Sequence, residues 1–121
     1  MTQLNFSKSK EILSEYGMSF CKEKLVQSKE EALEFAEKIG FPVVVKIFSP
    51  GILHITDVGG IRTDVEDKKE LEEACESLRR LTKKKIDKKI EGFLIQEELK
   101  GVELVVGMKR SREFGPVIMF G

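Results

Sequence analysis

The sequence predicts an α+β fold, in which helices pack on a sheet of strands. Two observations predict this class. Three segments place apolar residues at the three- and four-residue spacing of an amphipathic helix. Shorter segments between and after them are rich in β-branched and other apolar residues, which favour strands. With 121 residues, the chain suits one domain or a part of one.

The first two predicted helices have clear ends. One covers residues 7–16, and Gly17 is placed to end it. An extended segment follows over residues 18–26. The second helix begins at a capping box formed by Ser28 to Glu31, and Gly40 is placed to end it. The inner stripe of that helix is predicted to be Ala32, Phe35 or Ala36, and Ile39.

A buried strand is predicted next, over residues 43–47, where three valines run into Lys46. Residues 48–60 then form a long loop with turn-forming residues and no helix or strand pattern. A loop of this length is more typical of a functional segment than of a plain connection. A short strand over residues 61–65 follows it.

The third helix is predicted to begin at Asp67, with Glu70 placed three residues later to complete the cap. Seven of the eleven residues from 79 to 89 are basic. The favoured interpretation of this run is a solvated helix end, where cations suit the helix dipole. The alternative is a surface for a partner or an acidic cofactor. The core face of the helix is predicted to be Leu71, Ala74, Cys75, Leu78 and Leu81.

The last part of the chain predicts more strands. Two strands cover residues 93–98 and 102–108, and the short connection over residues 99–101 suits a hairpin or a hinge. A polar turn over residues 110–113 precedes a final strand over residues 117–120. Natural termini tend to be polar, so an end directly after an apolar strand leads us to expect a fragment of a longer protein.

Charge and composition narrow the class of protein. Lys and Arg together number 21, as do Asp and Glu, and this balance argues against a nucleic-acid binder. No apolar run approaches the ~20 residues that span a bilayer, and the amino terminus lacks the apolar core of a signal peptide. Cys21 and Cys75 lack metal-ligand spacing and would stay reduced in the cytosol. We therefore expect a cytoplasmic protein without a nucleic-acid or membrane partner.

Lys46, His54 and the pair Gly59-Gly60 form a candidate phosphate site. A lysine offsets the charge of a nucleotide phosphate, and the amides of a glycine loop can cradle it. A neutral imidazole can attack phosphorus, and Asp57 is a candidate to orient the ring. Each feature has an ordinary alternative: a lysine that reaches solvent, a histidine satisfied in the core or at the surface, and a tight turn.

Acidic residues near the predicted hinge form a second candidate site. Glu97 and Glu98 precede Leu99, and Glu103 lies in the next predicted strand. Their oxygens would accept hydrogen bonds from an adenine amine and from ribose hydroxyls. The alternative is an exposed carboxylate face. The sequence contains no Walker loop, dinucleotide-binding glycine motif, zinc-ligand cluster or Ser-His-Asp arrangement.

In combination, these segments resemble the opening of an ATP-grasp nucleotide-binding domain. The strand Val43 to Ile47 with Lys46 and the later Gln96-Glu97 followed by Gly101-Val102-Glu103 carry this resemblance. The segment from Ser49 to Gly60, with its His-Ile-Thr-Asp-Val-Gly-Gly run, is more discriminating. It looks like the signature of the NDP-forming acyl-CoA synthetases, also called ADP-forming acetate–CoA ligases, in their ATP-grasp subunit. Residues 107–110 and 114–121 match the same family.

The resemblance implies a single domain over residues 1–121, the N-terminal lobe of an ATP-grasp domain, with a mainly antiparallel sheet flanked by helices. The family interconverts acyl-CoA, ADP and phosphate with the free acid, ATP and CoA. The implied cofactor is ATP or ADP, with Mg²⁺ expected only together with a second lobe. The implied partner is a CoA-binding subunit or domain that carries a second phosphohistidine.

The resemblance also implies roles for single residues. His54 matches the catalytic phosphohistidine of the ATP-grasp part, and Lys46 matches the lysine that contacts nucleotide phosphates. The pair Gly59 and Gly60 belongs to the same cofactor-binding region. Glu97, Glu98 and Leu99 match the adenine hinge, and Glu103 matches the ribose acceptor. No residue of this chain is expected to bind a metal by itself.

Two positions depart from the family pattern and keep alternatives open. Ile55 stands where the family usually has lysine, and Gly51 stands where it usually has an acidic residue. Both favour a non-catalytic ATP-grasp-like module with a regulatory or interaction role. A further alternative is the ATP-grasp domain of a protein acetyltransferase. Without a second lobe, we expect the chain to bind nucleotide weakly and to turn over nothing.

Overall fold

The computed structural model of the chain describes residues 4, 6–49, 59–85 and 90–121. Its helices are α1 (Phe6–Glu15), α2 (Lys29–Ile39) and α3 (Lys68–Lys85). Its strands are β1 (Glu23–Val26), β2 (Val43–Phe48), β3 (Ile61–Val65), β4 (Gly92–Glu97), β5 (Val106–Ser111) and β6 (Gly115–Phe120). No helix in these ranges is long and apolar enough to cross a membrane.

Strands β1 to β4 form one antiparallel sheet in the order β1-β4-β2-β3. The strand β4 lies in the interior of this sheet and is hydrogen-bonded to β1 on one side and to β2 on the other. The strands β5 and β6 form a separate two-stranded hairpin. The prediction of a mainly antiparallel sheet flanked by helices is therefore confirmed.

The core lies between one face of the sheet and the helices α2 and α3. Alternate residues of β2 point into it, and so do alternate residues of β4, because successive strand side chains point to opposite faces. Apolar residues at helical spacing on α2 and α3 cover them, as the sequence predicts. The most deeply buried members of this core are Val43, Val45, Ile47, Phe93, Ile95, Ala32, Ala36, Leu71 and Leu78.

The predicted helix caps are present. The Ser28 hydroxyl accepts a hydrogen bond from the Glu31 N–H at 3.2 Å, and Gly40 ends α2 with a φ of 88°. The Asp67 carboxylate accepts a hydrogen bond from the Glu70 N–H at 2.8 Å at the start of α3. These bonds satisfy N–H groups that have no partner within the helix. Local sequence chemistry therefore fixes where α2 and α3 begin.

The helix α1 lies across the other face of the sheet, and none of its residues is buried. The Phe6 ring meets the Phe48 ring edge-on with 6.4 Å between centroids. The Lys10 ammonium lies 3.0 Å from the Glu23 carboxylate and 5.3 Å from the centre of the Phe20 ring. We call the face that α1 crosses the α1 face of the sheet.

One prediction about the strands is wrong. The predicted strand over residues 102–108 begins only at Val106, and it does not form a hairpin with the strand before it. The physical reason is that both edges of β4 are already occupied, by β1 and β2. The true hairpin joins β5 to β6, and its turn lies at residues 112–114 rather than 110–113. Of the two alternatives for residues 99–101, the hairpin is excluded, and the hinge stays a prediction.

Candidate functional site

Lys46 lies on the α1 face of the sheet. Its neighbours Val45 and Ile47 are buried in the core, so the Lys46 side chain points to the opposite side. In the ladder it lies opposite Leu94 on β4 and Ile61 on β3. Among the residues that the structure describes, the Lys46 ammonium forms no ion pair. Within these ranges, the Lys46 charge has no acidic partner.

A polar network lies on the same face, beside Lys46. The Glu23 carboxylate, only 4% exposed, is bound by Lys10 at 3.0 Å, by the Gln96 side-chain amide and by the Cys21 thiol at 3.7 Å. Burial alone would raise the pKa of the Glu23 carboxyl. The hydrogen bonds from Gln96, Lys10 and Cys21 outweigh burial and lower that pKa below its ordinary value. Glu23 therefore stays ionised in this network, where the Lys10 ammonium balances its charge.

The glycine pair precedes Ile61, which lies opposite Lys46 in the ladder, and Gly59 faces Leu81 of α3. The Gly60 carbonyl accepts a hydrogen bond from the Ile47 N–H at 2.9 Å, and this bond continues the pairing of β2 with β3. Gly59 has a φ of 72°, which glycine adopts without strain. The Arg62 guanidinium donates a hydrogen bond to the Gly59 carbonyl at 2.9 Å. The turn is thereby fixed at the start of β3.

The hinge residues are bonded to the lobe through their carboxylates. Glu97 accepts a hydrogen bond from the Lys22 N–H at 2.9 Å, and Glu98 accepts one from the Asp64 N–H at 3.1 Å. Leu99 follows them and is 69% exposed. The two carboxylates tie the hinge to Lys22, just before β1, and to β3, and the Glu97 and Glu98 N–H groups donate to the Lys22 and Pro42 carbonyls.

The spacing of the two candidate sites is set by β2. Val43, at the start of this strand, lies opposite Glu97, and Lys46 lies three residues further on. At about 3.3 Å per residue, these positions are about 10 Å apart along the strand. Glu103 is exposed and lies in the connection between β4 and β5. One strand therefore connects the two groups of candidate residues.

Part of the predicted site lies outside the described residues. This applies to His54 and Asp57, and also to the departures Gly51 and Ile55. In the described ranges, no group of three His, Cys, Asp or Glu side chains is arranged to hold a metal ion.

Sequence reasoning missed the partners of Glu23. Glu23 and Gln96 are separated by 73 positions and lie directly opposite each other on β1 and β4. Glu23 stands between two lysines, and Gln96 is followed by two glutamates, so the local sequence gave no sign of this contact. The sequence does not show that β4 lies beside β1, so it could not predict that Glu23 and Gln96 are partners.

The chain matches the family model of the ATP-grasp domain over residues 1–121. It is 42% identical over 113 residues to the ADP-forming 4-hydroxybutyrate–CoA ligase of Nitrosopumilus maritimus, covering 92% of this chain and 16% of that protein. It is 39% identical over 115 residues to subunit beta of the ADP-forming acetate–CoA ligase I of Pyrococcus furiosus, covering 93% of this chain and 50% of the subunit. The chain thus spans half the length of that subunit and a smaller part of the first relative.

Solved structures of one protein are also similar. Acetyl-coenzyme A synthetase 1 of Ca. Korarchaeum cryptofilum, in complex with coenzyme A and Ca-AMPCP, gives a TM-score of 0.85 at 39% identity, covering 95% of this chain and 51% of the solved chain. A second structure of that synthetase, with Mg-AMPPCP, has its phosphohistidine segment pointing towards the nucleotide binding site. It gives a TM-score of 0.67 at 33% identity, covering 95% of this chain and 47% of that one.

Proposed function

The chain belongs to the ATP-grasp domain family, and on that premise we propose that it is the nucleotide-binding lobe of an ADP-forming acyl-CoA synthetase. The complete enzyme would convert acyl-CoA, ADP and phosphate into the free acid, ATP and CoA. One observation carries the proposal. Lys46, a cation without an ion pair among the described residues, lies on the α1 face and pairs with Ile61, next to the Gly59-Gly60 turn, in a chain 39% identical to an acetate–CoA ligase subunit.

The proposed nucleotide lies along β2. Lys46 would bind the phosphates as a point charge, and the Gly59 and Gly60 backbone would lie beside them. The hinge over residues 97–99 would contact the adenine base, and Glu103 would accept hydrogen bonds from the ribose. The carboxylates and the backbone N–H groups of Glu97 and Glu98 are already hydrogen-bonded within the lobe, so the hinge backbone from Leu99 onward is better placed to contact the base.

We propose that His54 is the phosphoryl carrier of this lobe. An imidazole nitrogen would form a bond to phosphorus as the bond to the donor oxygen breaks, and the phosphoryl group would then pass to the terminal phosphate oxygen of ADP. The phosphohistidine segment of the Korarchaeum synthetase, which points towards its nucleotide site, supports a carrier at this place. The partner would be a CoA-binding subunit or domain with its own phosphohistidine.

Magnesium would be shared with a second lobe. The Mg-AMPPCP bound to the solved relative supports its use with nucleotide in this family. The ion would neutralise phosphate charge during transfer, and Lys46 would supply the cation from this lobe.

The test is phosphoryl labelling. The chain, together with its CoA-binding partner, is incubated with labelled phosphate and acetyl-CoA, and the label on His54 is measured after denaturation. We expect acid-labile label on the wild type and none on His54→Asn. Lys46→Ala should raise the Kd for ADP roughly 10- to 100-fold, because a charged hydrogen bond is lost. The exposed lysine variant Lys38→Ala is the control and should bind like the wild type.

Failure of the wild type to take up label with its partner would overturn the catalytic proposal. Retained ADP binding in that case would favour a non-catalytic module, in agreement with Ile55 and Gly51.

A further inference from the structure

Two energetically costly features meet at the end of β4. Asp64 has a φ of 53°, a conformation that residues with a side chain adopt at a cost. The Glu98 Oε2 atom is buried and has no hydrogen-bond partner among the residues that the structure describes. A buried unpaired polar atom also costs free energy. Such outliers persist where the surrounding structure requires them, often at functional sites.

Both features belong to one contact. The Asp64 N–H donates a hydrogen bond to Glu98 Oε1 at 3.1 Å. The Glu98 N–H donates to the Pro42 carbonyl at 3.3 Å, so the same residue is also fixed at the start of β2. The pairing of β2 with β3 shifts between Val43 and Val45, next to Asp64. The Glu98 carboxylate therefore holds an irregular part of β3 that the ladder itself does not hold.

The strand held in this way carries the phosphate site. At its other end, Ile61 lies opposite Lys46, and Gly60 accepts a hydrogen bond from the Ile47 N–H. A shift of β3 along β2 would move the Gly59-Gly60 turn relative to the Lys46 ammonium. In phosphoryl transfer, catalysis depends chiefly on such positioning and on charge neutralisation.

We propose that Glu98 is a positioning residue for phosphoryl transfer, whose carboxylate holds β3 so that the Gly59-Gly60 turn lies beside Lys46. This inference rests on the proposed function. It assigns the Glu98 side chain to β3 and leaves the contact with the base to the hinge backbone. Loss of the carboxylate should therefore slow transfer without weakening nucleotide binding.

The test uses Glu98→Ala and Glu98→Gln in the complete synthetase. Glu98→Ala should lower the rate of phosphoryl transfer to ADP roughly 10- to 100-fold, the loss expected from a small misplacement of reacting groups. The Kd for ADP should stay close to the wild-type value. Glu98→Gln should recover most of the rate, because its amide oxygen can accept the Asp64 N–H. The exposed variant Glu76→Gln, in α3, is the matched control and should behave like the wild type.

A second variant tests the role of the strained backbone. Glycine adopts a positive φ without cost, so Asp64→Gly should make β3 less dependent on Glu98. In the double variant Asp64→Gly with Glu98→Ala, the loss of rate should be smaller than in Glu98→Ala alone. Amide exchange at Asp64 should be faster than wild type in Glu98→Ala and not in Glu98→Gln.

A wild-type transfer rate in Glu98→Ala would overturn the inference, and so would a Kd for ADP that rises in proportion to the loss of rate. If Glu98→Ala fails to fold, the test rests on Glu98→Gln and Asp64→Gly. Slow phosphoryl transfer in Glu98→Gln together with unchanged amide exchange at Asp64 would contradict the positioning role. An inactive wild type counts against the proposed function itself.

Discussion

At the scale of single residues, the α1 face combines opposite charges at short range. Glu23 is a nearly buried carboxylate that three side chains stabilise, and Lys46, on the same face, forms no ion pair within the described ranges. The Lys10 ammonium also ties α1 to this network. The ionisation of Glu23 thus contributes to the packing of α1 on this face through the ion pair with Lys10.

Acid should weaken the fold through Glu23. Its folded pKa is lowered below the ordinary value of 4.5, so the unfolded chain binds this proton more readily. The stability from Glu23 is therefore present above pH 4.5 and is lost as the pH falls through the folded pKa. We expect the free energy of unfolding, measured in urea, to fall with acid less steeply in Glu23→Gln than in the wild type. Equal slopes would contradict this role for Glu23.

The two thiols should react poorly. Burial raises the pKa of Cys75 to about 11, and burial together with the Glu23 carboxylate raises the pKa of Cys21. A raised pKa leaves little thiolate at pH 8, and thiolate is the reactive form. Mass spectrometry after iodoacetamide treatment at pH 8 should find Cys75 unmodified in the folded chain and Cys21 modified more slowly than a free thiol. Denaturant should make both react, which serves as the control.

The sequence predicted single residues best where their chemistry is local. Lys46 was singled out because a charge at a strand end is conspicuous, and the structure leaves it unpaired within the described ranges. Glu23 was missed because its partner Gln96 is far away in the sequence. The anchoring of Glu98 to Asp64 was missed for the same reason, since the pairing of strands decides which backbone N–H a carboxylate can reach.

At the scale of elements, the helices follow the sequence closely and the late strands do not. The caps of α2 and α3 depend on residues three positions apart, which the sequence displays directly. The partner of β4 depends on which strands already flank it. Alternation in residues 102–108 suggested a strand but carried no information about its neighbour, so the sequence left a hairpin and a hinge open at residues 99–101.

A glycine fixes the close approach of β4 to β1. A Cβ atom at Gly92 would collide with the carbonyl oxygen of Val26, a backbone atom that cannot move aside. We expect Gly92→Ala to lower the free energy of unfolding by about 1–3 kcal/mol, the usual cost of overpacking. Gly107→Ala is the control, because its Cβ would meet only the end of the flexible Met119 side chain. Equal free energies of unfolding of Gly92→Ala and Gly107→Ala, measured in urea, would refute this reason for glycine at position 92.

At the scale of the whole molecule, the chain has one core and one hairpin that lies outside it. The buried residues come from α2, α3 and the four-stranded sheet, and none comes from β5 or β6. Large apolar side chains of the hairpin are 61–78% exposed. These are Val106, Met108, Phe114, Ile118, Met119 and Phe120. The sequence predicted strands here correctly in kind, but it gave no sign that they lack a packing partner within the described residues.

Amide hydrogen exchange should be slow in the core and fast in the hairpin. An isolated two-stranded hairpin is marginally stable in water, whereas an interior strand opens only with the core. We expect the amides of β5 and β6 to exchange orders of magnitude faster than those of β4, as measured by mass spectrometry or NMR. A longer protein that also contains a second lobe should show slower exchange in the hairpin than this chain does alone. If the amides of β4 and β6 exchanged equally slowly in the chain alone, the hairpin could not be separate from the core.

The interior place of β4 also governs how the sheet can assemble during synthesis. The strands β1 and β2 are not neighbours, and each is joined to the sheet through β4, which the ribosome makes more than 40 residues after β2 ends. Until Gly92–Glu97 emerges, β1 has no hydrogen-bonding partner in the sheet and the β2–β3 pair has an open apolar edge. Closure is therefore a late, long-range step, of the kind that folds slowly and exposes nascent chains to aggregation.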